Sequence, residues 1–325
     1  MRANNVSGKS PRGNPRGRLA LWWFVLALVA SVVLPVQVGR RFRQEAHPAT
    51  LEELLRLSPA RLSKLPISEL NLLCASGLST ANEPDIKQCL TMLDAWAQHV
   101  RSETERHRYR YERNPAEFEN SPGYFRMLML AVVLTEDYGV HYDLARTAGP
   151  ESTRIDDGFF ANPRSVFLYG LLGSERVGTC SSLPVLYVAV GRELSYPLKL
   201  VTTKGHMFVR WDGAGERFNI EVTGDRAVNR FPDDYYRHWP FELSPAEEQT
   251  EGYLKSLTPP QELAVFLSIR GMCLRDLGRL PEAADAFAIA TRFAPECRGY
   301  REMCASLQAK LTSNQVQPTP AASRL

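Results

Sequence analysis

A change of periodicity late in the chain restricts its fold more than any other feature. The segments PLKLVTTKGHMFVRW (197–211) and ERFNIEVTG (216–224) alternate in polarity and are rich in β-branched and aromatic residues, as strands are. The residues between them, DGAG at 212–215, are a strong hairpin signal. Helical periodicity precedes and follows this hairpin, so we predict an α+β fold with a small antiparallel sheet.

Helical segments flank the predicted hairpin. Residues 51–100 are helical in period, and YFRMLMLAVVLTEDYG at 124–139 is apolar enough to predict a buried helix. Residues 262–296 read as two helices whose small residues and Phe287 fall at the spacings of a tetratricopeptide repeat. A single copy cannot form the usual concave groove. We therefore expect it to pack against the main domain, with a docking module for a protein partner as the alternative.

An uninterrupted apolar run, LALWWFVLALVASVVLPVQV, occupies residues 19–38. A helix of this length spans the hydrocarbon core of a bilayer, and Trp22 and Trp23 suit its interface. We predict a retained single-pass transmembrane helix between a basic tail at 1–18 and a linker at 39–50; a cleaved signal peptide is the alternative. More basic residues precede the run than follow it, which places the N-terminus in the cytoplasm and the main domain outside it.

The net charge of +3 reflects this N-terminus rather than the body of the chain, because no acidic residue precedes Glu45. The remaining body carries more acidic than basic residues, so we predict no nucleic-acid binding. The six cysteines include no CxxC pair, and the six histidines form no HExxH motif. The sequence therefore predicts no metal site and no cofactor.

One cysteine stands at the start of a predicted helix, in GTCSSLPVLYVAVGREL. Pro184 lacks the N–H that would bond the carbonyl of Cys180, so a regular helix is not expected to begin much before that residue. Ser181 or Ser182 would cap the helix, with Thr179 as a weaker candidate. A thiol in this place lies beside free backbone N–H groups, which stabilise a thiolate and bind an oxyanion. A buried structural thiol is the alternative.

The hairpin register supplies a candidate base. A four-residue loop pairs Trp211 with Glu216 and hence His206 with Glu221, and directly opposed residues share one face of a sheet. A carboxylate in that place would orient the imidazole and stabilise imidazolium, which in turn supports a thiolate. A purely structural ion pair is the alternative.

These segments, GTCSSLP, KGHMFVRW and RFNIEVTG, resemble the core of the transglutaminase-like superfamily, which has a papain-related fold and a Cys–His–acid triad. The resemblance is closest to bacterial members, in which a cysteine helix precedes a GH-x-hydrophobic-V-R strand and a strand carrying the acid. The helices before the motif and the repeat unit after it extend the resemblance over 51–311. It implies a cysteine helix packed on a small antiparallel sheet at 51–250 and a tetratricopeptide-like unit at 251–312. The residues that follow, SNQVQPTPAASRL, predict a disordered tail at 313–325.

The resemblance implies a role for each candidate residue. Cys180 would be the nucleophile, His206 the general base and acid, and Glu221 the orienting acid. The third residue is usually Asp in this superfamily, and Glu has a longer arm. Asn219 and Asp225 are the alternatives for it.

The resulting hypothesis is a membrane-anchored cysteine enzyme that acts on amide or peptide bonds of a protein or peptide substrate through a thioester. Hydrolysis, as in a cysteine protease or amidase, and acyl transfer, as in a transglutaminase, are equally compatible with a Cys–His–acid set. The alternative is a catalytically silent scaffold of the same fold that binds a protein or peptide partner.

Overall fold

Helices around two small sheets make up the part of the chain that the computed structural model describes. The predicted α+β class is confirmed by this architecture. The described residues are 47–78, 83–146, 158–213, 215–224 and 228–316.

The helices of the described residues are α1 (Leu51–Leu55), α2 (Pro59–Leu62), α3 (Ile67–Ala75), α4 (Ile86–Arg113), α5 (Pro122–Val132), α6 (Pro163–Val166), α7 (Leu168–Leu171), α8 (Leu183–Glu193), α9 (Asp233–His238), α10 (Pro245–Glu251), α11 (Pro259–Asp276), α12 (Leu280–Phe293) and α13 (Arg298–Val316). The strands are β1 (His141–Tyr142), β2 (Val177–Gly178), β3 (Leu198–Thr203), β4 (His206–Gly213) and β5 (Glu216–Ile220). A 3-10 turn covers Pro115–Phe118, another covers Leu144–Arg146, and a π turn at Val133–Asp137 extends α5.

The predicted N-terminal segments cannot be placed in this fold, because the basic tail at 1–18 and the transmembrane helix at 19–38 lie outside the described residues. Within the described ranges, none of the helices combines the length and hydropathy needed to span a bilayer. Helix α13 continues past residue 312 to Val316, and the end of the chain beyond that residue is also outside the description.

Helix α8, which follows the cysteine, packs on the antiparallel sheet β3-β4-β5. Gly191 makes this close approach possible: a Cβ at that position would lie 2.2 Å from Cδ1 of Leu198 on β3. Helix α8 also contacts α3, α4, α5 and α7, and every residue from Leu183 to Gly191 is buried. The cysteine end of the helix is therefore fixed between a sheet and a layer of helices. The apolar segment at 124–139 forms the predicted buried helix, as α5 and its π turn.

The C-terminal helices form the two-helix unit that the spacing predicted. Gly271 of α11 faces Phe287 of α12, and a Cβ on the glycine would lie 2.6 Å from the aromatic ring. Phe287 is only 3% exposed, so the ring fills the space that the missing side chain leaves. The unit packs against the N-terminal helices through contacts of α11 with α2 and α3.

We expect Gly271→Ala to destabilise the protein by about 1–3 kcal/mol, because a methyl group would overpack the contact with the buried Phe287 ring. Urea unfolding followed by circular dichroism measures this loss. Ala288→Leu, on the exposed face of the same two-helix unit, is the control and should change the free energy of unfolding by no more than about 0.5 kcal/mol. Equal stability of Gly271→Ala and the parent protein would contradict the packing argument.

A buried ion pair connects α8 to the C-terminal unit. Glu262 of α11 is fully buried, and its carboxylate accepts two hydrogen bonds from the Arg192 guanidinium, at 2.5 and 3.0 Å. Arg192 also donates to the carbonyl of Leu198. A buried carboxylate that loses its charged partner destabilises the folded protein. This ion pair therefore fixes the position of the C-terminal unit relative to α8.

Candidate active site

Cys180 lies in a tight turn between β2 and α8. The helix begins at Leu183, with Ser182 in the N-cap position and Pro184 in the first turn. The predicted helix start is therefore confirmed within two residues, but the side chain of Ser182 makes no capping bond to the helix. The residue that organises the turn is Thr179, whose carbonyl accepts from the backbone N–H groups of Ser182 and Leu183.

The side chains on either side of Cys180 tie its turn to α6. The Thr179 hydroxyl donates to the carbonyl of Ser165 at 2.9 Å, and the Ser182 hydroxyl donates to the same oxygen at 3.1 Å. The two hydroxyls also accept from backbone N–H groups inside the turn, from Ser181 and Thr179 respectively. The hydroxyl groups of Thr179 and Ser182 thus fix the backbone of the turn, which explains why small polar residues flank the cysteine.

His206 and Glu221 meet as predicted, although the predicted register is wrong. Their Nε2 and Oε2 atoms are 2.8 Å apart, and both side chains are almost completely buried. Trp211 pairs with Phe218 rather than Glu216, because β4 continues to Gly213 and β5 begins at Glu216.

The shift in pairing is two positions and therefore keeps Glu221 on the same face as His206. Extending the pair Val209–Ile220 puts Phe208 opposite Glu221, which makes Glu221 a diagonal neighbour of His206. Beyond Ile220 the chain leaves β4, and Glu221 forms a backbone bridge with Asn229 instead. The longer arm of Glu, compared with Asp, spans this diagonal.

Further groups hold the Glu221 carboxylate, and the sequence analysis did not identify them. Oε1 accepts from the backbone N–H and the hydroxyl of Thr223, at 2.8 and 2.5 Å. The buried hydroxyl of Tyr236 donates to Oε2 at 3.2 Å, and the ring of Trp239 lies edge-on to the imidazole with centroids 4.7 Å apart. The signal that points to this support is the aromatic cluster DDYYRHWP at 233–240.

Of the two alternatives for the acid, Asn219 bonds to other partners. Asn219 accepts a hydrogen bond from Nε of the buried Arg210 at 2.7 Å and donates to Asp233. Asp225 lies outside the described residues. Among the described candidates, Glu221 is the one that binds the imidazole.

The electrostatics of the pair favour a charged imidazole. Burial acts to lower the pKa of His206, but the Glu221 carboxylate and the adjacent Cys180 thiol outweigh it and raise the pKa to about 10. Burial acts to raise the pKa of Glu221, yet His206 and the hydrogen bonds from Thr223 lower it overall. The Nδ1 atom of His206 makes no hydrogen bond of ordinary geometry with a described residue. Because Nε2 is occupied by Glu221, Nδ1 is the nitrogen available to the thiol.

The raised pKa of His206 predicts a pH dependence. The stability contributed by the protonated ring should be complete below its ordinary pKa of 6.5 and should be lost as the pH rises through about 10. Glu221→Gln removes the stabilising charge, so the His206 pKa should fall in that variant. Imidazole proton shifts in an NMR titration measure both values. A midpoint near 6.5 in the parent protein, or an unchanged midpoint in the variant, would contradict the assignment.

The turn also offers a hydrogen-bond donor for an oxyanion. No acceptor for the backbone N–H of Cys180 occurs within the described ranges. This N–H lies on the same residue as the thiol, so it is well placed to donate to an oxygen on a carbon that the sulfur attacks. It is a backbone donor of the kind that the position of the cysteine at a helix start predicts.

A cavity of about 430 Å³ lies at this site, and Cys180, Ser181 and His206 line its wall. Pockets of this size accommodate small ligands or extended side chains. A substrate that enters this cavity can therefore reach Cys180. Cys273, by contrast, is buried in the core, and burial raises the pKa of its thiol to about 12. Within the described ranges, no group of three or more histidine, cysteine or acidic side chains is arranged to hold a metal ion.

Comparison with known proteins adds no relative to this picture. No protein-family model, curated protein or solved structure matches the chain. The candidate site therefore stands on its geometry: a thiol in a fixed turn, an imidazole held by a carboxylate, a free backbone donor and an adjoining cavity.

Proposed function

We propose that this protein is a cysteine-dependent acyl-transfer enzyme of transglutaminase-like type, acting on amide or peptide bonds of a protein or peptide substrate. The observation that carries the proposal is that the Cys180 thiol and the His206 imidazole share the wall of one cavity, with the Glu221 carboxylate bonded to the far side of the imidazole. Each partner has the chemistry its place requires: a nucleophile, a base within reach, and an acid that orients the base.

The first half-reaction forms a thioester. Nδ1 of His206 holds the proton of the Cys180 thiol, and Nε2–H donates to Glu221, whose charge stabilises this imidazolium. The Cys180 sulfur attacks the substrate carbonyl, and the backbone N–H of Cys180 donates to the developing oxyanion. When the intermediate collapses, the C–N bond breaks and Nδ1–H protonates the departing amine.

The second half-reaction releases the acyl group. Nδ1 removes a proton from water or from an acceptor amine, which attacks the thioester carbonyl, and the C–S bond breaks. Water as acceptor gives hydrolysis, and an amine gives transfer. The sulfur leaves as a thiolate beside the imidazolium, which restores the ion pair of the starting state.

We also propose a more specific fold and a membrane location for this enzyme. The packing of α8 on β3-β4-β5 supports a papain-related core, and the packing of Phe287 against Gly271 supports a tetratricopeptide-type unit. The apolar run at 19–38 would anchor the enzyme with its main domain outside the cytoplasm.

An activated ester tests the nucleophile directly. We expect p-nitrophenyl acetate to release p-nitrophenol and to leave one acetyl group on Cys180, located by peptide mass spectrometry. Cys180→Ala should lose both the adduct and the rapid release, since Cys180 is the thiol beside an imidazole. Acetylation of other cysteines at a rate equal to that of Cys180 would overturn the proposal of an enzyme and would favour a catalytically silent scaffold that binds a partner.

A further inference from the structure

The C-terminal helical unit forms one wall of the cavity that holds Cys180 and His206. Its lining residues are Glu251, Tyr253, Val265, Ser268, Ile269, Cys297 and Tyr300. The unit is therefore placed to contact whatever is bound to the cysteine. In the proposed mechanism an acyl group stays covalently attached to Cys180 between the two half-reactions, and it would lie beside this wall.

The walls of the cavity are mostly apolar. Phe159, Phe160, Met207 and Phe241 line it together with Val265 and Ile269 of α11. Such walls favour an aliphatic or aromatic stem and disfavour a charged group along its length.

One carboxylate breaks this apolar lining. Oε2 of Glu251 accepts from the backbone N–H of Gly299 at 2.9 Å and from the Cys297 thiol at 3.1 Å. The other carboxylate oxygen, Oε1, accepts no hydrogen bond from a residue in the described ranges. The bound oxygen fixes the side chain, and the second oxygen keeps its capacity to bind a donor.

The cationic residue in the wall, Arg146, does not cancel this charge because it has its own acid. Its Nε atom lies 3.4 Å from Oδ2 of Asp143, and its NH1 group donates to the carbonyl of Phe159. Glu251 is the one acidic residue among the described residues of the cavity wall. The cavity thus combines a largely apolar wall with one carboxylate, whose Oε1 atom accepts no hydrogen bond from a described residue.

We infer that the cavity selects an acyl donor whose side chain has an apolar stem and a cationic tip, with Glu251 binding the tip. This inference rests on the proposed function for the identity of the group as an acyl donor. A lysine side chain has the required chemistry: its methylene groups pack on apolar walls while its ammonium group binds a carboxylate.

Equilibrium binding tests the inference without any need for turnover. The probes are N-acetyl-lysine methylamide and its norleucine and glutamate counterparts, titrated into the parent protein and followed by NMR. We expect the lysine probe to bind roughly tenfold more tightly than the norleucine probe, the effect of one charge-assisted contact. The glutamate probe should bind least tightly.

Two variants locate the preference. Glu251→Gln keeps a carbonyl oxygen for Gly299 but removes the charge, so the lysine and norleucine probes should bind equally to it. Glu248→Gln, on the same helix α10 but paired with Arg237 outside the cavity wall, should keep the full preference. Equal binding of the probes to the parent protein, no binding of any probe, or a preference retained in Glu251→Gln overturns the inference. These results leave the acetylation of Cys180 untouched, so the two proposals fail separately.

Discussion

Replacing His206 with Ala is expected to slow acylation of Cys180 by p-nitrophenyl acetate by about 10²–10⁴-fold, the usual contribution of a general base. The imidazole is the base that contacts the thiol, and its Nε2 atom is bound to Glu221 at 2.8 Å. Alanine removes both the proton acceptor and the positive charge that favours a thiolate. Stopped-flow release of p-nitrophenol, with the site of acylation confirmed by mass spectrometry, measures the effect.

His238→Ala is the matched control for this prediction. His238 ends α9 with an exposed side chain and contacts Glu242, away from Cys180. Its replacement should leave the acylation rate unchanged. A rate in His206→Ala within twofold of the parent rate would show that the thiol reacts without the imidazole.

Arg210→Met is expected to lower the free energy of unfolding by about 3–5 kcal/mol, because it leaves partners of a buried charge unsatisfied. Arg210 is 1% exposed and donates from three nitrogens, to Asn219, to the carbonyl of Leu254 and to Asp233. These bonds attach the segment after β5 to the sheet. That segment carries Tyr236, which binds Glu221, so a partly folded variant should also lose acylation.

Arg217→Met provides the comparison on the neighbouring strand. Its side chain is 58% exposed and its nearest acidic oxygens are 3.9 and 4.0 Å away. Exposed pairs of this kind contribute about 0–1 kcal/mol, so urea unfolding should show little change. Equal stability losses in the two variants would contradict the structural role of Arg210.

The residues of the candidate site could be predicted because local rules place them. Pro184 limits where the cysteine helix begins, and two-residue alternation keeps His206 and Glu221 on one face even when the pairing shifts by two positions. The exact pairing of β4 with β5 could not be predicted, because a tight turn can form at more than one position within DGAG. In the folded protein the strand hydrogen bonds continue to Gly213, and this fixes the position of the turn.

The supporting contacts were beyond the reach of sequence patterns. Tyr236 and Trp239 belong to a segment without regular periodicity, and their contacts with Glu221 and His206 depend on the attachment of that segment by Arg210. The position of Glu251 in the cavity wall depends in the same way on tertiary packing, because the wall is formed by residues that are far apart in sequence. Local propensity carries no information about such contacts.

The central claim, that Cys180 is an activated nucleophile, is tested most directly by its alkylation rate relative to Cys297. Both thiols line the same cavity, and Cys297 is the more exposed of the two, so access for a small reagent such as iodoacetamide does not favour Cys180. Burial and the adjacent Glu251 raise the pKa of Cys297 to about 12, whereas Cys180 contacts an imidazole. We expect site-resolved mass spectrometry to show Cys180 reacting at least about tenfold faster at pH 7, and the difference to vanish in His206→Ala. Equal rates in the parent protein would contradict the claim.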